Sequence, residues 1–427
     1  MLQTGNDAGS FPAIESDALG RMMEEVSAFG GGPDGAMTRL ALSREDAAAR
    51  DWLRAWFESE GLRLQVDALG NMFGVLDWAG PGAPTVMTGS HLDSQPNGGR
   101  FDGSLGVVAA CAAVASLKRK VEAAGSAPKC NFIVANWTNE EGARFQPSVL
   151  GSSVYTGALA PDFALDRRDG NGISVREALA EIGCAGAQSP PLPDAYIELH
   201  IEGSEHLERA GLRLAAFTRY WGATKYRIAF LGRQAHTGPT PMSERHDAVL
   251  AAAYLIAELK AMADKAGLDL HTSVGRMEIK PNSPNVVPAE AVLFAELRSV
   301  SPEILNLAEE ELNRQIAASA TRARVGYEVR SIERRRAGRM DTGLVRLAEC
   351  TAERMGHRML HLDTIAGHDA VSMAAVRPSI VLAVPSVGGV IHHPSEFTSP
   401  DDCALGAELL AGMLWQFCAN GNILASR

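Results

Sequence analysis

Four short apolar runs, each followed within a few residues by histidine or carboxylate groups, constrain the fold more than any other feature. They are TVMTG at 85–89, NFIVANW at 131–137, AYIELHIE at 195–202 and SIVLAV at 379–384. Runs this short, rich in β-branched side chains, read as buried strands. The stretch 103–118 puts Val107, Ala110, Cys111, Val114 and Leu117 on one helical face. Strands that alternate with helices imply an α/β domain on a mostly parallel sheet. Two helices are expected upstream, over 16–30 and 43–61. The second opens with the capping sequence Ser43-Arg44-Glu45-Asp46.

Between about 213 and 333 the order changes. A strand (225–231) leads to a long helix (247–265). Strands 272–279 and 291–298, a helix (302–320) and a strand (325–332) follow. The series β-α-β-β-α-β is ferredoxin-like. It reads as a small domain at 213–333 inserted into a larger one made of 1–212 and 334–427, since the ends of an inserted unit commonly lie together.

Composition narrows the function. The chain has 427 residues, a net charge of -11, and 21% charged residues. No basic face suggests nucleic-acid binding. The cluster Arg334, Arg335, Arg336 and Arg339 reads as a solvated surface turn. Six cysteines lack metal-finger spacing and read as reduced, mostly buried small hydrophobes. The N-terminal sequence MLQTGNDAGSFPAIESD has no basic or apolar region of a secretory signal. No apolar run approaches the ~20 residues of a membrane span. A cytoplasmic enzyme with a small-molecule substrate is the expectation.

The strand ends carry the chemistry. After the first run come His91, Asp93 and a loop leading to Asp102. Glu140 and Glu141 follow the second, His200 lies in the third, and His392-His393-Pro394 follows the fourth. Open α/β sheets bind ligands at the carboxyl ends of their strands. A lone His200 would read as a core histidine and a lone Glu-Glu pair as solvated surface. Glu140 and Glu141, however, follow a strand too apolar to be surface, and buried carboxylates need partners. Imidazoles with carboxylates suit a pair of ions about 3.5–4 Å apart, two histidines and a bridging acid on one, an acid and another histidine on the second.

The motifs GSHLDSQPNGGRFDG, NWTNEEGARF, AYIELHIE, AHTGPTPM, NVVP, AGHDA and HHPSE occur in this order. As a set they resemble the dinuclear-zinc aminoacylase/carboxypeptidase superfamily. The nearest resemblance is to its branch of N-carbamoyl-L-amino-acid hydrolases, ureidopropionases and allantoate amidohydrolases. The resemblance implies two divalent ions per subunit, zinc first, with manganese or cobalt also fitting. It implies His91 and His200 as ligands of one ion, Asp102 as the bridge, and Glu141 and His392 as ligands of the other. His393 fills a variable position. Asp93 would orient the His91 imidazole through its carboxylate, and Glu140 would be the general base. From the insert, His236 would stabilise the oxyanion, often from the partner subunit of a homodimer. Asn285 and Arg298 would grip the substrate carboxylate, and His368 would lie near the active site. Arg144 reads as structural.

Two segments depart from the family pattern. Gly203-Ser204-Glu205 stands where the family has Gln-Gly-Pro, and Arg219-Tyr220-Trp221 replaces a glycine-rich entry to the insert. Gly203, Arg219 and Trp221 are therefore candidate substrate contacts. Losing the Gln makes room, and Tyr220 or Trp221 could face an aromatic acyl group. The alternative to a carbamoyl substrate is thus an N-acyl amino acid. A non-catalytic binding protein is a remote third reading, because every expected ligand and the base are present.

Overall fold

The computed structural model describes residues 11–421. The expectation about the N-terminal sequence concerns a stretch whose residues 1–10 lie outside the described residues. Fifteen strands are found among the described residues. They are β1 (Arg63–Val66), β2 (Met72–Leu76), β3 (Thr85–His91), β4 (Asn131–Trp137), β5 (Ala195–Glu202), β6 (Leu214–Tyr220), β7 (Gly222–Leu231) and β8 (Ala235–His236). Then come β9 (His271–Lys280), β10 (Val286–Val287), β11 (Glu290–Ser299), β12 (Gly326–Arg335), β13 (Gly338–Arg339), β14 (Met359–Thr364) and β15 (Ser379–Pro385).

The chain divides into two compact units. One comprises Met1–Thr218, Met340–Leu362 and Gly367–Arg427; the other comprises Arg219–Arg339 and Asp363–Ala366. The principal sheet runs β1-β2-β4-β3-β5-β15-β6-β13, with β14 also on β6. Its centre, β4-β3-β5-β15, is parallel, while β1, β2 and β6 pair antiparallel at the flanks. The four apolar runs of the sequence are these four central strands. They are buried on both faces, as parallel strands between helices must be, and this produced their near-continuous apolar character.

Helix Ser104–Ala124 is buried over nearly all of its stretch Ser104–Leu117 and rich in Ala and Val, so that part lies close against the sheet. Helix Pro400–Asn420 joins the same core through Leu405, Leu409, Leu410 and Leu414. Its start is fixed by Ser399, whose hydroxyl accepts the Asp402 N–H, and by proline at the first turn. Truncating Leu410 to Ala would cost about 2–5 kcal/mol, through lost burial and the cavity left behind.

In the second unit the sheet order is β12-β7-β11-β9, antiparallel throughout. With helices Ala248–Ala266 and Pro302–Ala323 this is the β-α-β-β-α-β series. Tyr226, Ile228 and Phe230 alternate along β7 and share a core with Leu255, Leu259, Leu312 and Ile316 of the two helices. Arg334, Arg336 and Arg339 of the arginine cluster are exposed as expected, but the first two arginines lie in a strand rather than a turn. Arg334 and Arg335 end β12, and Arg334 donates to Glu309 at 2.6 Å. The Arg334 partner comes from helix Pro302–Ala323, packed on the sheet. All six cysteines are free; five are buried and Cys350 is exposed. Among the described residues, no helix is long and apolar enough to cross a membrane.

Candidate metal centre

The parallel strands end side by side, and their carboxyl ends carry the acids and histidines. Residues of period two share a face, so Tyr196, Glu198, His200 and Glu202 line one face of β5, with Ile197, Leu199 and Ile201 on the other. All are buried. His91 closes β3, and Glu140 and Glu141 follow β4 by a few residues.

Two groups of ligand atoms converge on one carboxylate, His91, Asp102 and His200 in the first and Asp102, Glu141 and His392 in the second. Asp102 Oδ1 lies 3.0 Å from His200 Nε2 and 3.7 Å from His91 Nε2. Asp102 Oδ2 lies 3.0 Å from His392 Nε2, which is 3.2 Å from Glu141 Oε2. The Nδ1 atoms of His91 and His200 meet the carbonyls of Asp93 (2.8 Å) and Ile201 (3.0 Å). A carbonyl at Nδ1 fixes the proton there and turns the Nε2 lone pair toward a ligand. This donor set of three imidazoles and two carboxylates, with one acid shared, fits a pair of divalent cations.

The electrostatics agree with that fit. Burial pushes the Asp102 carboxyl up, but hydrogen bonds and charge from His200 and His392 hold it well below the ordinary range. Burial pushes the His200 imidazole down, yet Asp102 outweighs it and raises it to about 9. His392 is raised to about 11 against its burial by Asp102 and Glu141. Burial lowers His91. Asp102 and Glu141 thus favour positive charge at His200 and His392, while burial disfavours it at His91. Glu140, 3.6 Å from His91 Nε2, is driven well above the usual carboxylate range by burial and then by Asp369, Glu141 and Asp102. A raised carboxyl suits proton transfer near neutral pH.

Asp93 acts differently from the expectation. Its main-chain carbonyl takes the His91 ring, whereas its carboxylate Oδ1 stands 4.0 Å from that Nδ1. The carboxylate instead accepts the N–H groups of Glu140 (3.1 Å) and Glu141 (3.3 Å). A tight loop geometry lets both amides reach it, which spacing alone could not show. Asn139, with φ at 58°, makes that turn, and its amide donates to the Phe145 and Pro147 carbonyls. Gly103 also has a geometric reason. Its φ is +64°, and a Cβ there would stand 2.3 Å from the His91 ring.

His393 turns away to Ser395 Oγ at 2.7 Å, leaving His392 as the ring at the acids. His368 is buried, edge-on to His200 at 4.5 Å and stacked on Phe217. Arg144 binds Asp169 and the carbonyls of Ala41 and Leu42, a structural clamp on the loop after Glu141. Gly203 is exposed, and a Cβ there would meet Ile391 at 3.1 Å.

The remaining candidates belong to the second unit. His236 in β8 and Asn285 meet on one small ribbon, where Thr237 donates to the Asn285 carbonyl at 3.1 Å. Arg298 donates to the Ile365 carbonyl (2.6 Å) and to Glu296 (2.9 Å). Arg219 is held in both guanidinium directions by Asp363, at 2.8 and 2.6 Å. Trp221 is buried and lies 5.1 Å from His271, ring to ring. Arg219 is thus paired within its own unit, whereas the Trp221 ring packs on His271 and its buried indole N–H has no hydrogen-bond partner among the described residues.

Three buried acids were given no role of their own from the sequence. Glu198 accepts from Ser90 Oγ (2.8 Å) and the Ala370 N–H (2.7 Å), and burial raises it to about 7. Asp369 is buried beside it and pushed well above the ordinary range by burial and then by Glu198. Glu396 accepts from the N–H groups of Phe101, Asp102 and His392. Burial and then Asp102 raise it to about 7. The signal for Glu198 was its face shared with His200. For Glu396 it was an acid four residues past a ligand.

A model of the Peptidase family M20/M25/M40 matches residues 87–416. A Mycolicibacterium smegmatis protein described no more finely than as a hydrolase is 42% identical over 392 residues, 90% of this chain and 89% of that one. N-carbamoyl-L-amino-acid amidohydrolase of Rhizobium meliloti is 34% identical over 399 residues, 93% of this chain and 95% of that one. The crystal structure of an amidase of the hydantoinase/carbamoylase family from Burkholderia vietnamiensis is 31% identical, with a TM-score of 0.91 over 96% of this chain and 99% of that one. The chain belongs to the M20/M25/M40 peptidase family, in its branch of amidohydrolases that cleave C–N bonds other than peptide bonds.

Proposed function

We propose that the chain hydrolyses the amide C–N bond of an N-carbamoyl-L-amino acid or a related ureido acid, at a centre of two divalent ions with Glu140 as general base. The observation that carries the reading is the shared Asp102 carboxylate, one oxygen facing His91 and His200 and the other facing His392, with Glu140 3.6 Å from His91. Zinc is the first choice of metal, and manganese or cobalt suits the same donors. Bound there, such ions would acidify a water and polarise the scissile carbonyl.

Glu140 takes the proton of the attacking water and returns it to the leaving amino-acid nitrogen. The bond between that nitrogen and the carbamoyl carbon breaks, and the carbamic acid released decays to ammonia and carbon dioxide. Asp93 holds the Glu140 and Glu141 amides, so both acids enter the site at fixed positions. In this reading the insert is a lid and dimerisation domain. His236 stabilises the oxyanion across a homodimer, and Asn285 and Arg298 bind the substrate carboxylate. For that, Arg298 exchanges Glu296 or the Ile365 carbonyl for substrate. His368, behind His200, shapes the site wall. Free cysteines accord with a reducing compartment, and the cytoplasm is the proposed location.

The N-acyl alternative keeps the same machinery. In it the Trp221 ring, packed on His271, would line the acyl pocket, while Arg219 stays paired with Asp363. The test is product release from metal-loaded protein on a panel of N-carbamoyl and N-acyl L-amino acids. Ammonia appearing with free amino acid is the expected result. Free amino acid from acyl substrates alone, without ammonia, would overturn the carbamoyl reading.

A further inference from the structure

We propose that Glu396 is a positioning residue of the metal centre, a buried clasp that holds the Asp102 loop and the His392 loop at one spacing. The inference rests on the two-ion reading above. Glu396 Oε1 accepts the N–H of Phe101 at 2.8 Å and of Asp102 at 3.1 Å, and Oε2 accepts the N–H of His392 at 3.3 Å. The carboxylate thus joins the backbones of two ligands that lie nearly 300 residues apart in sequence.

His392 needs such a tether more than its fellows do. His91 and His200 lie in strands, side chains 1% and 5% exposed, with their rings fixed through Nδ1. His392 lies in a loop, with φ at 59° and its side chain 47% exposed. Metal–ligand distances tolerate only about ±0.2 Å, so a loop-borne ligand must be placed by its backbone.

The loop before Asp102 is shaped around this carboxylate. A Cβ at Gly99 would stand 2.2 Å from the Glu396 carboxyl carbon and 2.3 Å from Oε1. Gly99 has ordinary negative-φ or extended geometry, so it is the space, not the backbone conformation, that calls for glycine. Glu396 does not face the reacting atoms; it acts through Asp102 and His392.

Glu396→Gln separates the two grips. The amide oxygen can keep the Phe101 and Asp102 N–H groups, and its NH2 then faces the His392 N–H, donor against donor. The variant should release His392 while retaining Asp102. Two measurements on the full-length chain test this. In metal-free protein, E396Q should lose amide-exchange protection at His392 and keep it at Phe101 and Asp102. In metal titrations and kinetics, E396Q should bind one of the two zinc ions about 10–100-fold more weakly, with kcat reduced and KM for the carbamoyl substrate little changed. G99A, whose added Cβ meets the carboxyl carbon and Oε1, should loosen the Asp102 grip as well, lowering amide protection at Asp102 and His392 and weakening both ions, and it carries the test if E396Q fails to fold.

Unchanged protection at His392, or two ions bound with wild-type affinity and kcat, would overturn the clasp. So would equal weakening of both ions in E396Q. A wild-type chain that holds fewer than two ions would defeat the two-ion reading itself. The amide measurement needs no ion and still decides the clasp.

Discussion

The two halves of the metal centre share Asp102 and are otherwise built in opposite ways. His91 and His200 come from adjacent central strands, are buried, and are locked through Nδ1 by main-chain carbonyls. Glu141 and His392 come from loops after β4 and β15. Gln95 binds Glu141 through its main-chain N–H (3.1 Å) and Nε2 (2.9 Å), and Glu396 holds the His392 backbone. The first half inherits its geometry from the sheet, and the second depends on side-chain clasps. The first ion should therefore bind more tightly, and the second should be the one that mutations and chelators remove.

The largest effect expected is from Asp102→Asn, which removes the shared carboxylate. Both ions should be lost and activity should fall to background, as read by metal content and turnover together. Retention of one tight ion would show that the halves are independent. Next is Glu140→Gln. It keeps both ions and lowers kcat by about 10²–10⁴-fold, the usual share of general acid–base catalysis. Loss of metal in this variant would make Glu140 a ligand instead.

A sharper comparison comes from His200→Ala beside His392→Ala. The first should weaken both ions by loosening Asp102, while the second should release one ion and leave the other at wild-type affinity. Equal losses would erase the proposed asymmetry. The insert has its own prediction. Mixing Glu140→Gln and His236→Ala subunits should restore part of the activity if His236 serves the partner's site, and no rescue would remove the cross-subunit role.

The smallest effect is at the loop clamp. Burial pushes Asp169 up, but Arg144 and the Asn171 and Ile173 amides outweigh it and hold its carboxyl below the ordinary range. Its contribution to stability is thus present above the unfolded carboxylate pKa and is lost as pH falls through the depressed folded value. Asp169→Asn should lower Tm slightly near neutral pH and flatten the acid limb of the Tm–pH curve. An unchanged acid limb would contradict this.

What the sequence made legible follows the same division. The central strands were readable because burial on both faces leaves apolar runs, and the acids past their ends stood out against that background. Helix Ser104–Ala124 was readable from one apolar face, although it continues past the expected end at 118. The flanking strands β1, β2 and β6 were not foreseen. β1 is a four-residue edge strand, β2 a buried run of only five residues with Gly74 inside it, and β6 is buried only over its first half; their antiparallel pairing depends on tertiary context. Helix Pro400–Asn420 was also missed, its apolar character running all round rather than on one face. In the site, the ligand positions lay in short motifs. Asp93 and Glu396 lay in the same motifs, but their roles were not legible there, because both carboxylates act on backbone N–H groups brought together only by folding. Arg219 and Trp221 were singled out by unusual residue types, and the structure gives each a partner within its own unit.

The most direct test of this account is a calorimetric titration of chelator-stripped protein with zinc, wild type beside His392→Ala. The account predicts two ions of unequal affinity in the wild type and retention of the tighter one in the variant. A single ion in the wild type, or loss of both in His392→Ala, would contradict it.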